Sequence, residues 1–171
     1  MLFRSLDLSS VEQGQARLEL RPVSLRDVVA QAETATRPAA MERSHAVALD
    51  LPKDLPDVVA DRDRLAQVLI NLLDNAVKFT PEGGRIEVSA RPSAGRVIVS
   101  VADNGVGIPP EDVGRIFERF YRVDRSRDRR DGGTGLGLAI TKHLTQAMGG
   151  TIEVDSRPGS GTTFRISLPA A

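Results

Sequence analysis

Leu65, Val68, Leu69, Leu72, Leu73 and Ala76 recur at the i, i+3, i+4, i+7 spacing of a helix with one buried face. This helix constrains the fold more than any other stretch. It also carries Asn71, Asn75 and Lys78 on a separate stripe, within a sector roughly 60° wide. One face packs, and the other is left for chemistry. Carboxamide oxygens ligate a hard cation such as Mg²⁺ without adding negative charge, and an ammonium one turn on meets phosphate oxygens. A solvated polar face is the alternative, since Asn is a poor helix former usually met at caps or exposed positions.

The rest of the chain alternates helix and strand patterns around this segment. Ser24 followed by Asp27 is a variant capping box that predicts a helix to about Ser44, with Pro38 as a candidate kink. Val47, Leu49 and Leu51 alternate as a strand, and Asp61 or Asp63 caps the central helix, which stops at Pro81 and Gly83-Gly84. Ile86, Val88 and Ala90 then pair with Val97, Val99 and Val101 as a hairpin turning around residues 93–95. A helix from Gly133 or Thr134 to Met148 stops at Gly149-Gly150, and Ile152 to Val154 and Phe164 to Leu168 supply two more strands. Helices and mostly antiparallel strands therefore segregate into layers, which predicts an α/β fold, a two-layer sandwich.

Composition narrows the function classes. With 171 residues the chain has the size of one domain and a short appendage. Lys plus Arg and Asp plus Glu both number 23, so no global charge attracts nucleic acid or an anionic membrane. Cysteine is absent, which removes disulfides, thiolate chemistry and thiolate zinc sites and fits a cytoplasmic protein. No apolar run approaches the ~20 residues of a membrane span, so no direct membrane contact is expected.

Three glycine-rich clusters follow the central helix. Residues 103–109, Asp-Asn-Gly-Val-Gly-Ile-Pro, leave a strand with backbone flexible enough for a flat ligand to lie close, and Asp103 would supply an acceptor that selects an exocyclic amine such as adenine's; taken alone, an Asp-Asn-Gly turn is the plainer reading. Residues 132–138 open the last helix, where free N–H groups favour phosphate oxygens. They lack the Gly-Lys-Ser/Thr ending of a P-loop and the spacing of a dinucleotide fold. Residues 159–164 bring hydroxyls to the start of the last strand; an ordinary hairpin turn is the plainer reading. Between the first two clusters lie Phe117 and Phe120, read as hydrophobic pins, and a mixed-charge run with Arg119 and Arg122 available to neutralise a terminal phosphate. About thirty residues of weak pattern here argue for a lid.

In this order the segments resemble the catalytic ATP-binding domain of bacterial sensor histidine kinases, of the superfamily shared with gyrase B, a heat-shock chaperone and MutL. Residues 71–80 resemble its N box, 103–109, 133–138 and 159–164 its three glycine boxes, and 117–122 its F box, so the likeness covers residues 20–170. The resemblance implies a Bergerat-type fold, a mixed and mostly antiparallel sheet of about five strands packed on three helices, with a flexible ATP lid at residues 123–132. It implies ATP and Mg²⁺ as ligands, with Asn75 on the metal and Asn71, Lys78 and Arg122 in catalytic roles around metal and phosphates. Asp103 would read the adenine amine. Gly105, Gly107, Ile108, Tyr121, Gly133, Thr134, Gly135, Leu136, Gly137, Leu138 and Thr162 or Thr163 would complete the nucleotide site.

Residues 1–21 resemble the end of the family's second dimerisation helix and its linker, and residues 22–171 the catalytic domain. The family's phosphoacceptor motif, His followed by Glu or Asp, is absent, since His45 precedes Ala46 and His143 precedes Leu144. The expected partners are a histidine-bearing dimerisation domain of the same kinase and, indirectly, a response regulator, the chain itself being monomeric and its parent a homodimer. A clamp-type ATPase is disfavoured because Asn71 stands where that class carries a glutamate base. An anti-sigma-factor-type serine kinase and a nucleotide-sensing module stay as alternatives.

Overall fold

The computed structural model describes residues 17–123 and 134–171. Residues 1–16 of the expected linker, Gly133 and residues 124–132 of the expected lid lie outside them.

The elements run β1 (Arg21–Val23), α1 (Leu25–Glu42), β2 (Ala46–Asp50), β3 (Val58–Ala60), α2 (Arg62–Phe79), β4 (Arg85–Ser93), β5 (Arg96–Asp103), α3 (Pro110–Val113), α4 (Gly137–Ala147), β6 (Thr151–Arg157) and β7 (Gly161–Pro169). The main sheet has the order β2-β4-β5-β7-β6, with β2 parallel to β4 and the other pairs antiparallel. Alternation places Ile86, Val88, Val97, Val99, Val101, Phe164, Ile166 and Leu168 on its buried face. Leu65, Val68, Leu69, Leu72 and Leu73 of α2 join that core with Val28 and Val29 of α1, Leu144 of α4 and Met148 at the C-terminal cap of α4. The result is the expected mixed five-stranded sheet covered by three long helices.

Sequence signals fix the helix ends. Ser24 caps α1 by accepting the Asp27 N–H at 3.3 Å, and the helix continues through Pro38 to Glu42. Asp61, rather than Asp63, caps α2: Oδ1 accepts the Arg64 N–H at 3.1 Å, and Oδ2 accepts that of Glu19 at 3.0 Å. One side chain thus starts the central helix and holds the segment leading into β1.

Three features depart from the sequence expectation. β1 and β3 form a small antiparallel sheet with Pro22 opposite Val59, each strand being three residues long and too short to show a period. The four-residue α3 interrupts the presumed loop. α4 begins at Gly137, not at Gly133 or Thr134, because Gly135 has φ +71°, outside the right-handed helical region.

Candidate functional site

Two contacts along α2 bracket the asparagine stripe. Asn71 Nδ2 points to the Gly137 carbonyl at 3.5 Å, bringing the start of α4 alongside. At the other end the Phe79 carbonyl accepts the Val106 N–H at 3.2 Å, which seats the first glycine loop on the end of the helix. Asn75 is four residues from each contact and so lies one turn from both, between the glycine loop and α4. Lys78, on the same stripe, is half-buried with Nζ 5.2 Å from the Phe79 ring centroid.

The Gly137 carbonyl is shared: the Thr141 hydroxyl donates to it at 2.9 Å, and Thr145 repeats the pattern on the Thr141 carbonyl at 2.7 Å. Both threonines are fully buried. Ser24 and Asp61 cap α1 and α2, whereas Leu136, at the N-cap of α4, makes no side-chain cap bond, and among the described residues no side chain caps that helix. Thr134 is exposed, and its Oγ1 accepts the Leu136 N–H at 3.4 Å.

Asp103 ends β5 with its carboxylate oriented by backbone. Oδ1 accepts from the Gly105 N–H at 2.9 Å and the Thr162 N–H at 3.3 Å. Burial raises its pKa above the ordinary carboxylate value, and the two N–H donors oppose that shift. Asn104 is structural: its Oδ1 accepts the Arg85 N–H at 2.7 Å.

The first and third glycine clusters are interlocked. A Cβ on Gly107 would fall 2.1 Å from the Arg157 carbonyl oxygen, and one on Gly161 1.9 Å from that of Asp103. The Gly159 N–H donates to the Val106 carbonyl at 2.8 Å, and the Ile108 N–H to Ser156 Oγ at 2.8 Å. These glycines permit backbone to approach backbone, which is what fixes Asp103.

Residues 60–171 match the family described as histidine kinase-, DNA gyrase B-, and HSP90-like ATPase. The chain belongs to that ATPase family. Its relatives place it on the sensor histidine kinase branch. It is 38% identical over 170 residues to the sensor-like histidine kinase SenX3 of Mycobacterium tuberculosis, covering 99% of this chain and 41% of that protein. It thus spans about two fifths of the length of the SenX3 relatives. Full-length ShkA in complex with AMPPNP superimposes with a TM-score of 0.81 at 36% identity, over 98% of this chain and 36% of that one. ThkA in complex with the response regulator protein TrrA gives 0.77 at 25% identity, over 98% and 47%. The serine-kinase and sensing alternatives are not favoured by this company.

Within this histidine-kinase-type ATPase domain the expected site residues do not all converge. Asn71, Asn75, Lys78, Asp103, Gly105, Gly107 and Gly137 belong to the assembly above, and Ile108, Leu136 and Leu138 pack half-buried against the core. Thr162 lies inward, 7% exposed, beside Asp103, whereas Thr163, next in the strand, faces the opposite side of the sheet with Ala102 and Arg165. Strand alternation therefore takes Thr163 out of the site. Phe117 is a pin, edge-to-face on Phe164 with ring centroids 6.2 Å apart. Phe120 is not: it is 69% exposed at φ +62°, held there by its N–H to the Gly135 carbonyl at 3.0 Å. Tyr121 is tied to α3, its hydroxyl donating to Asp112, a bond that raises the hydroxyl pKa, with the Arg115 guanidinium 4.3 Å from its ring centroid. Arg122 is half-buried beside it, and Gly133 is outside the described residues.

Ser156 escaped the sequence reading. The available signal was a hydroxyl on the inward face of β6, at the position after Ile152 and Val154 in a period of two. The Phe79 and Arg157 carbonyls left no sequence signal, because any residue supplies a carbonyl.

Proposed function

We propose that this domain binds Mg·ATP between α2, the first glycine loop and α4, and transfers the γ-phosphoryl group to a histidine on a dimerisation domain. The observation that carries the reading is Asp103. A half-buried carboxylate aimed by two backbone N–H groups, in a protein of this family, is suited to accept from the adenine amine, where a guanine carbonyl would leave it unpaired.

The donor chemistry of α2 fits a magnesium ion. Asn75 would hold the metal through its amide oxygen, with Asn71 beside it. No group of three or more His, Cys, Asp or Glu among the described residues could cage a metal alone, so phosphate oxygens and water would complete the shell. Bound there, Mg²⁺ supplies neutralisation of phosphate charge. Lys78 and Arg122 would add positive charge, and the start of α4, with the glycine run that precedes it, would offer N–H groups to the phosphates. The chain's contribution is to position and neutralise while the acceptor imidazole bonds to phosphorus and ADP leaves.

Neither histidine present suits the acceptor role. His45 is buried, its Nε2 engaged by the carbonyls of Thr80 at 3.0 Å and Pro81 at 3.1 Å; His143 lies exposed on α4. Asn71, one turn before Asn75, cannot act as a base toward water, so ATP hydrolysis should be slow. Further parts of the proposal are residues 1–21 as linker and dimerisation-helix remnant, residues 22–171 as the catalytic unit, residues 123–132 as lid, a response regulator as downstream receiver, a monomeric chain within a homodimeric parent, and a cytoplasmic location. Mixing the chain with a dimerisation-domain fragment and γ-labelled ATP tests the reading: acid-labile label on the fragment's histidine supports it, and labelled serine on a partner opposes it.

A further inference from the structure

The last turn of a helix leaves its carbonyls without intrahelical partners, and it frays unless other groups take them. Lys78 stands in the last turn of α2, and Phe79 ends the helix. Other segments take the carbonyls there one by one. That of Phe79 accepts from the first glycine loop, at Val106. Those of Thr80 and Pro81, just beyond the helix, accept from His45 Nε2 at 3.0 and 3.1 Å, and that of Lys78 lies 3.5 Å from Arg43 Nη1. A carbonyl can only accept, so Nε2 carries the proton and donates to both.

Arg43 and His45 belong to the α1–β2 turn, which is itself tightly held. Ser44 takes φ +54°, a left-handed conformation that is costly for a residue other than glycine. The turn closes through the Ser44 N–H to the Met41 carbonyl and the His45 N–H to the Ala40 carbonyl, each at 2.9 Å. Two backbone bonds then join it to the turn after α2: the Gly83 N–H donates to the Arg43 carbonyl and the Ala46 N–H to the Gly84 carbonyl, each at 2.9 Å. His45 is buried and Thr80 fully so. The two turns form one unit, in which side chains of the first face carbonyls of the second.

The aim of an ammonium on a flexible four-carbon stem depends on how firmly its backbone is fixed. Asp103 is held elsewhere, by the Gly105 and Thr162 N–H groups. We infer that His45, with Arg43, is a positioning residue for phosphate binding: acting through the carbonyls at the end of α2, it fixes the backbone from which Lys78 reaches the nucleotide phosphates. The inference rests on the phosphate role proposed for Lys78 and deepens it.

The test is a double-variant cycle on the full chain, titrated calorimetrically with AMP and with Mg·ADP at a temperature where thermal denaturation shows each variant folded. Lys78→Met should lower the preference for Mg·ADP over AMP about tenfold. His45→Leu should lower it about as far with AMP affinity unchanged, and in the Lys78→Met background it should lower it no further. His45→Gln, which keeps an N–H for the two carbonyls, should restore most of the preference. Arg43→Met, which leaves both histidine bonds in place, should lower it about threefold and likewise add nothing to Lys78→Met, so the test stands even where His45→Leu folds poorly. Losses that add in the double variants, equal weakening of AMP and Mg·ADP, or an unchanged preference in His45→Leu overturn the inference while Lys78 keeps its role. An unchanged preference in Lys78→Met removes the underlying reading as well.

Discussion

Gly161 lies so close to Asp103 that a Cβ on the glycine would sit 1.9 Å from the aspartate's carbonyl oxygen, and its φ is +106°. The third glycine cluster therefore seats the strand end that carries Asp103.

Gly161→Ala combines a backbone clash with a disfavoured conformation and should destabilise the domain by about 2–4 kcal/mol. Gly159 has φ +78°, but a Cβ added there would meet nothing within 4 Å, so Gly159→Ala should cost only about 1 kcal/mol. Urea denaturation of the two variants checks the contrast, and equal losses would contradict it.

Asp103→Asn should separate stability from recognition. Burial raises the carboxyl's folded pKa above its unfolded value, so the native state holds the extra proton between the two values. Stability then falls as pH rises from the ordinary carboxylate range through the raised folded pKa, and the penalty is fully present above it. The amide keeps an acceptor for the Gly105 and Thr162 N–H groups but carries no charge. The variant should be at least as stable as wild type at pH 7 and lack that pH dependence, yet bind ATP about 10- to 100-fold more weakly. Thermal unfolding across pH, with calorimetric binding, measures both.

The two faces of α2 should respond oppositely. Leu72 is 1% exposed, and Leu72→Ala should cost about 2–5 kcal/mol. Asn75→Ala should leave unliganded stability unchanged within about 0.5 kcal/mol or slightly improved, since Ala is the better helix former, while abolishing the Mg²⁺ dependence of nucleotide binding. Denaturation and titration with and without Mg²⁺ distinguish them.

His45 is a structural histidine on this geometry. His45→Ala removes its contacts with the carbonyls of Thr80 and Pro81 and should destabilise by about 1–3 kcal/mol. Replacing both histidines with Gln should still permit phosphoryl transfer to a separate acceptor domain, measured with γ-labelled ATP at a temperature where the variant is folded.

The long amphipathic helix was legible because eighteen residues display their period plainly, and so were the hairpin strands and the aspartate cap. The β1–β3 pair was not, since three residues show no period and the pairing spans the intervening α1 and β2. At the site, residue types carried Asn75, Asp103 and the glycines. Thr162 could be told from Thr163 only by register, and Phe120 from Phe117 only by a left-handed backbone bonded to Gly135. Side-chain chemistry is written in the sequence; which face a residue turns at a loop or strand end is decided by partners far along the chain.

The most direct measurement is calorimetric titration of the wild-type chain and Asp103→Ala with a non-hydrolysable ATP analogue, with and without Mg²⁺. The expected result is adenine-specific, Mg²⁺-assisted binding to wild type that Asp103→Ala loses. Equal binding to both proteins, or no binding to either, would contradict the assignment of Asp103 and the site built around it.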